Sequence, residues 1–174
     1  MSKIDLLLHP IRIRIIMALT GKPLTPGQIA LEITDVPQTS LYRHINALLE
    51  GGILNVVDEH PVRGTVEKVF ALVEGSTRLR PDEIESVSDE DHLRYFIVFL
   101  SSLLQDFTSY LERRQGTDER MKDVIYNKVA LYLTDEQFHN VTEQFRSLAL
   151  PYIAAQDNEA AKRYIFALFS IPED

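Results

Sequence analysis

The residues best suited to chemistry lie between Pro37 and Glu50, where Gln38, Thr39, Ser40, Tyr42, Arg43 and Asn46 crowd one stretch with no carboxylate before Glu50. Amides, hydroxyls and a guanidinium match the donors and acceptors that base edges present in the major groove of duplex DNA, whereas a carboxylate there faces phosphate at a cost. Gln38 and Asn46 suit adenine, Arg43 suits guanine or a phosphate, and Thr39, Ser40 and Tyr42 suit phosphates or thymine methyls. Arg63, at the end of the turn-forming run DEHPVRG, can enter an adjacent minor groove or hold the backbone, with Lys68 behind it. Lys22 and Thr25, just ahead of a preceding helix, suit a phosphate.

Other reactive side chains form no such set. His44 follows Leu41 by three and lies beside an apolar stripe, which reads as a packed or capping histidine. His9, His60, His92 and His139 are scattered without ligand spacing, and Glu90-x-His92 lacks a companion pair, so no metal is expected. Serine, histidine and aspartate occur without a nucleophile motif. The sequence therefore suggests neither catalytic residues nor a cofactor.

The elements that must position the polar stretch are legible from caps and periodicity. A first helix opens at Pro10, where the missing N–H costs nothing, and runs to about Leu19 before Gly21 ends it. Thr25-Pro26-Gly27-Gln28 is a capping box that starts a short helix to about Ile33. The third helix spans 37–50, with Leu41, Ile45, Leu48 and Leu49 forming its core stripe and Gly51-Gly52 closing it. Residues 53–73 then change period. ILNVV and TVEKVFALV flank DEHPVRG, a hairpin whose tip should carry His60, Arg63 and Gly64.

Residues 74–88 read as a connector with a short helical turn, and the domain boundary is placed after Arg80. Ser88 with Asp91 reads as a second capping box on a long helix to about Arg114. Along it Leu93, Phe96, Leu100, Leu103, Phe107 and Tyr110 alternate steps of three and four, the spacing of a helix packed lengthwise on another. VIYNKVALYL is β-rich, Thr134 to Gln137 forms a third capping box before a helix carrying Phe138, Val141, Phe145 and Leu148, and RYIFALFSIP reads as a strand. The expected class is mainly α with some β: a winged helix-turn-helix over 1–80, then an acidic helical or α+β dimerisation domain over 81–174.

Charge supports this division. The net charge of −8 is uneven: residues 1–80 hold 9 Lys+Arg and 8 Asp+Glu, whereas residues 81–174 hold 9 and 18. A near-neutral half binds polyanions if its cations share a face, and the acidic half is repelled by phosphate. A hydrophobic fraction of 45% suffices for a core, and zero cysteines exclude disulfides and thiolate sites. The longest apolar-dense run, residues 95–104, is too short for a bilayer span, and no signal peptide is read, so a cytoplasmic location is expected.

"HPIRIRIIMAL", "TPGQIALEI", "QTSLYRHINALLEGGIL" and "RGTVEKVFAL" together resemble the ArsR-type winged-helix repressors, in particular their longer relatives with an added C-terminal domain, over about residues 5–73. That resemblance implies a prokaryotic dimeric transcription regulator. It assigns Gln38, Thr39, Ser40, Tyr42 and Arg43 to recognition-helix positions and Arg63 to the wing tip. The metal-sensing members carry a cysteine pair in the helix that here reads IALEITD, or an Asp-x-His with a later histidine; neither stands here, so metal sensing is not implied.

The expected function is a homodimer reading double-stranded DNA in a sequence-specific way, with the 37–50 helix in the major groove and the 53–73 wing on the minor groove or backbone. Two alternatives stand beside it. One is a winged helix that meets another protein. The other is a ligand-responsive regulator, with a small-molecule effector lodged among aromatics such as Tyr95, Phe99, Tyr126 and Phe166.

Overall fold

The computed structural model describes residues 2–62, 65–116, 121, 123–153 and 161–173. Its elements run α1 (Lys3–Leu7), α2 (Pro10–Leu19), α3 (Pro26–Glu32), α4 (Gln38–Glu50), β1 (Leu54–Val62), β2 (Thr65–Leu72), α5 (Pro81–Glu85), α6 (Asp89–Arg114) and α7 (Asp135–Ile153). Helices α2, α3 and α4, preceded by the short α1 and followed by an antiparallel hairpin, make the first half a winged helix-turn-helix, and the second half is dominated by one long helix.

Each helix of the first half begins for a local reason. The Thr25 hydroxyl accepts from the Gln28 N–H at 3.3 Å while the Gln28 side chain accepts from the Thr25 N–H at 2.9 Å, so α3 opens on the expected capping box. Helix α2 starts with Pro10 at its first position behind His9, whose Nδ1 accepts from the Ile11 N–H at 3.3 Å. Helix α1 was not foreseen from the sequence. Ser2 and Asp5 cap it reciprocally, and Ile4, Leu6 and Leu7 anchor it in the core.

Ile15, Ile29, Leu41, Ile45 and Leu48 lie wholly out of solvent at the meeting of α2, α3 and α4, with Ile53, Leu54 and Phe70 sealing the sheet side. Burying each such side chain stabilises the fold by roughly 1.5–3 kcal/mol in transfer terms. Leu24 pairs with Phe70 through two backbone hydrogen bonds of 2.9 Å, which tie the segment before α3 to β2. Helix α4 closes at Gly51, and Gly52 adopts φ +69°, a left-handed conformation suited to glycine. A Cβ on Gly51 would collide with the Leu6 side chain, so α1 packs directly on this end of α4.

The hairpin differs from expectation in extent. Strand β1 continues through Asp58, Glu59, His60 and Pro61, residues assigned to a turn from their composition, and His60 pairs with Glu67 rather than standing at the tip. Both strands of a two-stranded sheet are edges, so Pro61 can sit with its missing donor toward solvent. A bulge falls between Val56 and Asp58. Arg63 and Gly64 lie outside the described residues.

In the second half, α6 starts at Ser88, whose hydroxyl accepts from the Asp91 N–H at 3.2 Å. The expected box is only half formed, because the Asp91 carboxylate instead accepts from the Ser88 hydroxyl at 3.1 Å. Helix α7 has its complete box from Thr134 and Gln137. Two expected β segments are not strands: residues 124–133 and 163–172 have neither helix nor ladder. β-branched and aromatic residues favour a pleated surface only where a neighbour supplies the hydrogen bonds, and among the described residues the sheet holds β1 and β2 and takes in neither segment. The second of them instead follows α6, with Phe169 stacked on Phe96 at 4.3 Å between ring centroids.

The halves meet on α1 and α2. Tyr95, buried on α6, donates its hydroxyl to the Asp5 carboxylate at 2.5 Å, with Arg94 beside it at 3.5 Å. Those interactions hold the Asp5 carboxyl below its ordinary pKa, the Tyr95 hydrogen bond contributing most. Lys3 meets Glu83 of α5, and Arg78 meets Glu143 of α7 at 2.8 Å.

Candidate nucleic-acid interface

Helix α4 has two faces of opposite character. Leu41, Ile45 and Leu48 fill the core, whereas Gln38, Thr39, Tyr42, Arg43 and Asn46 are exposed and Ser40 is half-buried. Successive buried positions at i, i+4 and i+7 leave the intervening residues on the outer surface, so the apolar stripe itself orients the polar set. Among the described residues, none of these six polar side chains is held in an intramolecular hydrogen bond or ion pair. They form one surface of free donors and acceptors without a carboxylate.

The turn that launches this helix is anchored from behind. Arg14 on α2 grips Asp35 with two hydrogen bonds, Nη1 to Oδ2 at 2.9 Å and Nη2 to Oδ1 at 2.5 Å. The paired guanidinium holds the Asp35 carboxyl below its ordinary pKa. A fork of this kind fixes orientation as well as distance, so the α3–α4 turn is referred to α2 rather than left to solvent. Sequence reasoning missed it because the partners lie 21 residues apart and neither is apolar.

The supporting residues are more committed than their sequence suggests. Lys22 is paired with Glu32 at 2.7 Å across α3, and the Thr25 hydroxyl is already the acceptor of the α3 cap. Lys68 lies exposed on β2 with Glu59 as its register partner on β1. Of the expected DNA-facing residues, the α4 set thus stands free together, while Lys22, Thr25 and Lys68 have acidic or capping neighbours.

Behind the polar face the structure reveals a pair of imidazoles. His44, 6% exposed, packs against His9 with ring centroids 4.5 Å apart and planes tilted by 40°, and its Nε2 has no hydrogen-bond partner. Burial, then the nearby His9, Arg12 and Arg43, lower the His44 pKa to about 4. His9 is lowered as well, by burial first and then by Arg12 and Arg43. The packed role read for His44 is what the structure shows. The histidine directly before Pro10, at an N-cap position, was the available signal for its partner.

The long helix carries its stripe where expected. Phe96, Leu103, Phe107 and Tyr110 are half-buried, while Leu93 and Leu100 are exposed. The aromatics named for an effector site are not assembled. Tyr95 is buried against Asp5, Phe99 is half-buried near Phe169, and Tyr126 and Phe166 face solvent. Among the described residues no group of three or more histidine or acidic side chains is placed to hold a metal ion, and no helix is long and apolar enough to cross a membrane.

Fold and face together define a winged helix-turn-helix. Residues 7–57, which run from the end of α1 into β1, match the helix-turn-helix domain family. No curated protein matches the chain. Among solved structures, Bacillus subtilis PadR in complex with operator DNA is similar at 16% identity over 82% of this chain and 94% of that one, with a TM-score of 0.34. A similarity so low transfers no residue roles.

Proposed function

We propose that the chain is a non-enzymatic, DNA-binding transcription regulator acting as a homodimer. Helix α4 enters the major groove with Gln38, Thr39, Ser40, Tyr42, Arg43 and Asn46 toward bases and phosphates. The wing, residues 53–73, lies on the minor groove or backbone, where Arg63 and Lys68 supply the charge. The α6 stripe of Leu93, Phe96, Leu100, Leu103, Phe107 and Tyr110 pairs two copies, and the acidic half keeps clear of phosphate. Two α4 helices then address half-sites about 34–36 Å apart.

The observation that carries this reading is the α4 outer face: polar, uncommitted, free of carboxylates and held on a fully buried stripe. A surface helix with no polyanionic partner gains nothing from excluding Asp and Glu. The test is binding to random duplex DNA by fluorescence anisotropy over a salt series, followed by selection of bound sites from a random library. Affinity should fall with a log–log slope of about −0.9 for each phosphate neutralised. Symmetric half-sites should emerge from the selection. No salt-sensitive binding would overturn the reading and leave the protein-interaction alternative.

A further inference from the structure

Helix α4 rests on α2 through two rings that are both poorly placed to carry charge. His9 Nδ1 is the acceptor that caps α2, so it must be unprotonated, and it sits at the helix end where the macrodipole disfavours a cation. His44 presses against that ring at 4.5 Å, is 6% exposed, and buries an Nε2 for which no acceptor is available. A proton on either ring would therefore break a cap, or place an imidazolium in a dry contact with another ring.

The neighbouring cations work the same way. Helix α2 contributes Arg12, whose guanidinium donates to the carbonyls of Leu6 and Asp5, and α4 itself contributes Arg43. The Asp5 carboxylate on α1 is taken by Tyr95 and Arg94. Glu32 on α3 is paired with Lys22, and Asp58 on β1 lies against His60. The charges that act on the two rings, Arg12 and Arg43, are both cationic and oppose a further proton.

We propose that His9 and His44 form a proton-sensitive interlock that seats the recognition helix on the start of α2, engaged while both rings are neutral and released when either takes a proton. Above the range of a free imidazole, about 6.5, the interlock is fully present. As pH falls below that range, the unfolded chain takes up protons that the folded chain refuses, so stability drops progressively toward the His44 value of about 4. The consequence for DNA rests on the function proposed above: a released α4 loses its register with the groove.

The experiment uses the full-length chain and two substitutions. His9→Asn keeps a capping acceptor without a titratable ring, and His44→Phe keeps ring volume without a nitrogen. Imidazole NMR titration of the wild type should show His9 and His44 titrating below the ordinary range. Between about pH 7 and about pH 4.5, across the range in which a free imidazole takes up its proton, the thermal midpoint of the wild type should fall more steeply than that of the double variant. Duplex affinity should follow the same difference, with a limiting slope on the order of tenfold per pH unit for each proton coupled. Should His44→Phe fail to fold, the ring titrations in the wild type and the slope of His9→Asn decide the matter. Both rings titrating near the free value, or parallel pH profiles in wild type and variant, would overturn the interlock. Low titration and a matching stability profile, with no duplex bound at any pH, would support the interlock and refute the DNA reading.

Discussion

The first half of the chain closes its own core, and the second half does not. Ile15, Ile29, Leu41, Ile45 and Leu48 are wholly buried among α2, α3 and α4, whereas Tyr95 is the only buried hydrophobic residue after Phe70 among the described residues. Leu104 on α6, Leu148 on α7, and Tyr132 and Phe166 in the irregular segments are each more than half exposed. Both halves are rich in apolar residues, so composition does not separate them. What separates them is how much of that apolar surface the described residues cover: nearly all around α2, α3 and α4, and little along α6 and α7. A winged helix gathers α2, α3, α4 and a hairpin around one centre; the 26-residue α6 and the 19-residue α7 leave apolar faces exposed, which the dimer proposed above would cover.

Three substitutions would break or sharpen that contrast. Leu41→Ala in the closed core should cost about 2–5 kcal/mol, enough to threaten folding of the winged helix, as read by chemical denaturation. An effect below about 1 kcal/mol would mean the centre is looser than its burial indicates. Leu100→Glu, at an exposed position of the α6 stripe, should leave the winged helix within about 0.5 kcal/mol of its starting stability. It should nevertheless convert the proposed dimer to a monomer in sedimentation and weaken a two-half-site operator by on the order of 100-fold through lost avidity. Unchanged sedimentation would place the dimer contact elsewhere. Arg43→Ala touches neither core and should leave stability alone while costing about 1–3 kcal/mol of operator affinity. Equal weakening on every duplex sequence would make Arg43 a phosphate contact rather than a base reader.

The same contrast explains what could be read from sequence. The Thr25 and Thr134 caps, the α4 stripe and the span of α6 are local patterns, each set by residues within one or two turns, and the structure holds all of them. The segments 124–133 and 163–172 looked like strands because side-chain type reports a preference for a pleated surface, not the presence of a neighbouring strand. Helix α1 escaped notice because five residues make a helix only when capped at Ser2 and packed by Leu6 and Leu7. The polar α4 set was legible as residue types at helical spacing. Its supports, the Arg14 fork on Asp35 and the His9 ring on His44, join residues far apart in the chain and carry no periodic signal.

Gly51 sets a limit on how this chain can drift. Its α-carbon faces the Leu6 methyls so closely that even alanine would have to displace them. Alanine there would have to turn the Leu6 side chain aside, one position along from Asp5, the carboxylate that receives Tyr95 from the long helix. A methyl group at position 51 would thus be met first by the side chain at position 6, which a smaller residue there would relieve.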